Sequence, residues 1–181
     1  MIKFVLNRTT STPFVTIGTL TEETSGFKCA TVERLSPSIG KPTQKSNRAL
    51  PVGTHKMKFM MGYEGFFVKI ATKGALSDAR IIGAEKPSKA PMGSVCVGTR
   101  WTGAEMAGGQ AVERAIDKLI NRFIDTGHVD SRGKYGDMEL EIKEDEMVRI
   151  DGKDPDYTEE DEMDWDLLDE DDFGDDYGET E

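Results

Sequence analysis

Apolar and polar residues alternate in part over "MIKFVL" (1–6). Alternation rich in β-branched and aromatic residues recurs in "FVTIGTL" (14–20), "FKCATVE" (27–33), "HKMKFMM" (55–61) and "FFVKIAT" (66–72). Successive side chains of a strand point to opposite faces, so this pattern predicts strands. "SVCVGT" (94–99) predicts another, and "MELEIKE" (138–144) with "MVRID" (147–151) predicts a final pair. Hairpin connections are expected at "TEETSG" (21–26) and "MGYEG" (61–65), where Gly62 and Gly65 are open to positive φ. One segment breaks the pattern. In "GGQAVERAIDKLINRFIDTG" (108–127), Val112, Ala115, Ile116, Leu119, Ile120 and Phe123 share one helical face, and Gly127 supplies a stop. An amphipathic helix must bury that face against a sheet. The expected fold is therefore α+β: a mostly antiparallel sheet or partly open barrel with one main helix.

Charge divides the chain in two. Of 34 acids, 16 lie between Asp154 and Glu181, where there is no lysine or arginine. Residues 1–153 keep 18 acids against 23 bases, a balance of +5. A run of like charge resists compaction, so a β-rich domain over 1–153 and a disordered acidic tail over 154–181 are expected. The tail also carries apolar residues. "MDWDLLDEDDFGDDY" (163–177) sets Trp165, Leu168 and Phe173 among carboxylates, a composition typical of interaction segments, so these three are the candidate contacts with a protein partner. No apolar run is long enough for a membrane helix, and the first residues lack a signal peptide's apolar core. A cytoplasmic location is expected, with Cys29 and Cys96 as reduced thiols.

The chain offers little for catalysis. It has only two histidines, His55 and His128, and neither a P-loop, a dinucleotide fingerprint nor an HExxH. "DGKDPDYTEED" (151–161) lacks the spacing of a calcium loop, so no metal or cofactor is expected. Glu33, Glu64 and Glu85 could converge as acids, although nothing singles them out. Three residues are the candidates for nucleophilic chemistry: Cys96 and Ser94 in "PMGSVCVGT" (91–99), and His55 as a distant base. A cysteine in an apolar strand is more often a small buried hydrophobe, and no catalytic residue is expected here.

Four motifs in order carry a family resemblance: "TIGTL" (16–20), "GFKCATVER" (26–34), "ALPVGTHKM" (49–57) and "GSVCVGT" (93–99). Together they resemble the domain-of-unknown-function 5675 family of small phage and gut-bacterial proteins. The resemblance implies a compact β-rich domain in a phage-related protein, placed in the host cytoplasm or the virion. The family's histidine and cysteine elements in turn resemble those of L,D-transpeptidases, which would imply a thiolate acting on peptidoglycan. This chain departs at both points. "RIIGAE" (80–85) puts Ile82 where the histidine belongs, and Ser94 takes the cysteine's place.

Two functions from different classes remain. The first is a non-enzymatic binding or structural protein that docks a partner through its acidic tail and binds single-stranded nucleic acid. Basic residues at 41, 45, 48, 56, 58, 69, 73, 80, 86 and 89 recur near Tyr63, Phe66 and Phe67. Lys41, Lys45, Arg48, Lys86 and Lys89, on the irregular stretches 34–53 and 83–93, are the candidate nucleic-acid contacts. The second is a cell-wall enzyme using Cys96.

Overall fold

The computed structural model describes residues 1–38, 48–63, 65–127 and 137–150. Its strands are β1 (Ile2–Ser11), β2 (Thr16–Glu22), β3 (Lys28–Glu33), β4 (Gly53–Gly62), β5 (Gly65–Ile70), β6 (Arg80–Ile82), β7 (Val95–Gly98), β8 (Arg100–Trp101), β9 (Met106–Ala107), β10 (Met138–Lys143) and β11 (Val148–Arg149). Helix α1 spans Gly109–Asp125. The order β10-β4-β5-β6-β7-β3-β2-β1 is joined end to end by a β1–β10 pairing, which makes a closed barrel of eight strands. Closure leaves no open edge in these eight strands. All neighbours are antiparallel except β1–β10 and β6–β7.

Strand alternation separates two apolar layers. Ile2, Phe4, Leu6, Leu20, Met57, Val68, Ile81, Val95, Leu140 and Ile142 belong to the main core. Val112, Ile116, Leu119, Ile120 and Phe123 of α1 join that same cluster, so the helix face read from the sequence is the buried one. Gly127 follows with φ of 77°, the left-handed stop expected there. The opposite parity forms a second cluster: Val32 and Cys96 packed with Val15, Ala90 and Met106, and edged by Ile17, Ile82 and Trp101. The hairpin of β8 and β9 contributes Trp101 and Met106 to this outer layer. The start of α1 lies directly on the residue after β6. A Cβ on either Gly83 or Gly109 would collide with the other's backbone.

Both strands expected over 138–151 form, but they do not pair with each other. β10 lies between β1 and β4, while β11 meets β1 alone. Both run parallel to β1, with Asn7 opposite Lys143 and Thr10 opposite Val148. They are successive segments along one strand, interrupted where β1 bulges between Arg8 and Thr10. A bulge shifts the register and re-aims a side chain. Here it coincides with Glu144 turning toward Arg8. Two elements were not read from the sequence at all. β6 has three residues, and the β8–β9 strands have two each, too short to show a period.

Arg8 occupies the inward parity of β1 after Ile2, Phe4 and Leu6, and it is completely buried. Its Nε and Nη2 donate to the two oxygens of Glu33 at 2.8 and 2.9 Å. Nη2 also donates to the Leu50 carbonyl at 2.7 Å. Nη1 donates to Glu144 at 2.8 Å and to Ser36 at 3.4 Å. These are five bonds for five guanidinium protons, the condition under which a buried charge is tolerated. Burial pulls the Glu144 pKa up, but hydrogen bonds from Ser36, Ser38 and Arg8 outweigh it and hold the carboxyl below its ordinary range. Beside this cluster Gly18 leaves room. A Cβ there would meet Asn7, Arg8 and the Thr31 hydroxyl.

Removing one member of a buried ion pair typically costs about 3–5 kcal/mol, because the other charge is left uncompensated. Glu33→Ala is therefore expected to lower unfolding free energy by about that amount in urea titration. A loss below about 1 kcal/mol would mean that water enters the barrel end and that the network does not hold it.

Candidate nucleic-acid interface

The two-residue turn between Gly62 and Gly65 fixes the β4–β5 register, with Gly65 at φ of 123°. That register sets Lys58 opposite Lys69, and the β5–β6 register sets Lys69 opposite Arg80. Their neighbours Phe59, Val68 and Ile81 line the core, so the three cations stand on the outer face. Strands lie about 4.8 Å apart, so the row extends over roughly 10 Å. The next row is Met60 opposite Phe67, ending at Ile82 on β6. The Arg80 guanidinium stacks over the Phe67 ring at 4.6 Å from its centroid. Gly62 permits the ring to lie flat, since a Cβ there would strike it. Tyr63 at the turn is fully exposed, and Met61 beside it is 71% exposed.

On β1, β10 and β4, cations of the outer surface pair with carboxylates. Lys3 pairs with Glu141 at 2.6 Å, and Lys56 with Glu139 at 3.2 Å. Lys69 and Arg80, by contrast, enter no ion pair among the described residues. Like charges placed directly opposite in a sheet are destabilising. The Lys69–Arg80 pair therefore costs stability unless an anion lies across it.

A groove of about 450 Å³ opens next to this face, lined by Gly65, Ile82, Gly83, Ala84, Gln110, Glu113, Arg114 and Asp117. The Gly83 amide donates to Glu113, which anchors α1 to the end of β6. Burial, and then the neighbouring Glu113 carboxylate, push the Asp117 pKa up to about 6. Among the described residues, no group of His, Cys, Asp and Glu is arranged to hold a metal ion.

The residues singled out in the sequence are scattered. Cys96 is fully buried in the outer cluster, and burial pushes its thiol up to about 12, with Glu33 adding to the rise. A nucleophilic thiolate needs access and a lowered pKa; Cys96 has neither. Ser94, 3% exposed, accepts a bond from the Arg80 amide. His55 lies opposite Leu140 on β4, with two strands between it and β7, and its Nε2 contacts the Pro51 carbonyl at 2.8 Å. Glu33 is committed to Arg8 and Glu85 pairs with Lys89, so these acids do not converge. Lys86 and Lys89 lie on the loop leaving β6, around the short helical turn Pro87–Lys89. Arg48, half-buried, precedes Ala49 and Leu50, at the Arg8 end of the barrel. Lys41, Lys45, Glu64 and His128 fall outside the described residues, as do Trp165, Leu168 and Phe173.

No described helix is long and apolar enough to cross a membrane. The barrel lining is apolar and its outer face carries charges, the reverse of an outer-membrane barrel. Comparison with protein-family models, with curated proteins and with solved structures found no match. The resemblance to the domain-of-unknown-function 5675 family thus stands on the four motifs alone.

Iodoacetamide is expected to leave Cys96 unmodified in the folded protein at neutral pH, and to label it on denaturation. Rapid labelling of the native chain would contradict the buried thiol. Asp117 binds its proton more tightly folded than unfolded, so it costs stability as pH rises from about 4 through about 6. Asp117→Asn should raise the melting temperature at pH 8 and make no difference at pH 4. An equal effect at both values would show that Asp117 is not perturbed.

Proposed function

We propose that the protein binds single-stranded nucleic acid across the outer face of β4, β5 and β6. The observation that carries this reading is the row Lys58–Lys69–Arg80 alongside Phe67 and the exposed Tyr63. Cations in line can follow a phosphate backbone, and aromatic rings stack on unpaired bases whatever their sequence. A duplex would offer the phosphates but would keep its bases from the rings, so the aromatic component favours a single strand. No observation favours the cell-wall enzyme, since its nucleophile, Cys96, is buried and protonated.

Fluorescence anisotropy with a labelled oligothymidylate of about 15 nucleotides tests the reading. Three phosphate contacts should give a slope of about −2 in a plot of log affinity against log salt. Lys69→Ala should reduce that slope by about 0.7. Phe67→Ala should weaken binding by about 1–3 kcal/mol. Lys118→Ala, on the exposed side of α1, should change nothing. Absence of binding at about 50 mM salt, or equal binding by all three variants, would refute the assignment.

A further inference from the structure

We infer that the acidic segment 154–181 of this same chain occupies the β4–β5–β6 face and competes there with nucleic acid. The inference rests on the reading of that face given above and adds its regulation. Three observations carry it.

The first is charge. The segment holds 16 carboxylates and no base, while the half-exposed Lys69 and Arg80 enter no ion pair among the described residues. The second is chemical likeness. Trp165, Phe173 and Tyr177 are spaced among the acids, so the segment presents negative charges with intervening aromatic rings. A single strand of nucleic acid presents the same two groups, and Phe67, Tyr63 and the cation row are complementary to both. The third is reach. The described chain ends at Ile150, whose amide donates to the Ser11 carbonyl at 2.7 Å, so the described chain leaves the barrel beside β1. The 31 residues that follow can extend up to about 100 Å. A folded body of this size has a radius of gyration of only about 15 Å. The acids can therefore reach any face of the barrel. A tethered competitor acts at an effective concentration of about millimolar. Even a weak contact, of about 0.1 mM, would then reduce the apparent affinity for an external ligand about tenfold.

Two measurements on the full chain test this. The first is oligothymidylate binding by a variant with Asp169, Asp171, Asp172, Asp175 and Asp176 changed to Asn and Glu170 changed to Gln. Binding about tenfold tighter than that of the parent chain is expected; unchanged affinity would overturn the competition. The second uses no nucleic acid. Carbodiimide should couple acids of 154–181 to Lys58 or Lys69 within one chain, as mapped by mass spectrometry, and added salt should abolish the product. Coupling only between two copies, or only to lysines elsewhere, would overturn the inference. Intramolecular coupling to Lys58 or Lys69 in a protein that binds no oligonucleotide in either form would uphold the contact and refute the nucleic-acid reading.

Discussion

Arg8 holds together the part of the barrel that alternation alone cannot. Its guanidinium links five places in the chain: its own strand β1, the end of β3 at Glu33, the following turn at Ser36, the approach to β4 at Leu50, and the end of β10 at Glu144. Three of these, β1, β3 and β10, are strands of the closed barrel, and β1–β10 is the parallel seam that closes it. Without the two carboxylates, a charge would lie among apolar side chains at a cost of several kcal/mol. Without Arg8, Glu33 would be equally exposed to that cost. The end of the barrel thus has one arrangement in which every proton of the guanidinium is used. That arrangement fixes the β1 bulge, the turn after β10 and the path into β4.

The seam in turn places the candidate face. β4 pairs with β10 on one side and β5 on the other, so its register follows from the closure. The face is then set by the tight β4–β5 turn and the three residues of β6. Where β1, β10 and β4 meet, lysine pairs with glutamate across strands, as at Lys3–Glu141 and Lys56–Glu139. Across β4, β5 and β6 this alternation stops, and three bases follow one another beside an aromatic ring. Stability alone favours the mixed pattern. This run of bases with a ring under one cation is the feature on which the proposed nucleic-acid reading rests.

Much of this was legible in the chain. The period-two strands, the two hairpin turns and the helix face all depend on local patterns, and the structure has them. The register of Lys58 against Lys69 also follows from the turn at Tyr63. Arg80 could not be added to that row from sequence, because β6 is too short to show a pattern and its parallel partner β7 is remote. The parallel closure by β10 was hidden for the same reason. Long-range parallel pairing leaves no turn signature, so the sequence showed the two strands of 138–151 but not that both join β1. Arg8 and Glu33 carried a signal that went unread: each sits at the inward position of an alternating strand, where an unpaired charge would be excluded. The nucleic-acid candidates chosen from loops, among them Lys86 and Lys89, reflect the general mobility of loops, whereas the cation row stands on strands.

The most direct test of the account is an amide chemical-shift titration of the full chain with a short single-stranded oligonucleotide at low salt. The account requires the largest shifts on Lys58, Phe67, Lys69 and Arg80, with Lys3, Glu141 and the exposed side of α1 unmoved. Shifts centred on the loop at 83–93, or spread evenly over the barrel, would contradict it.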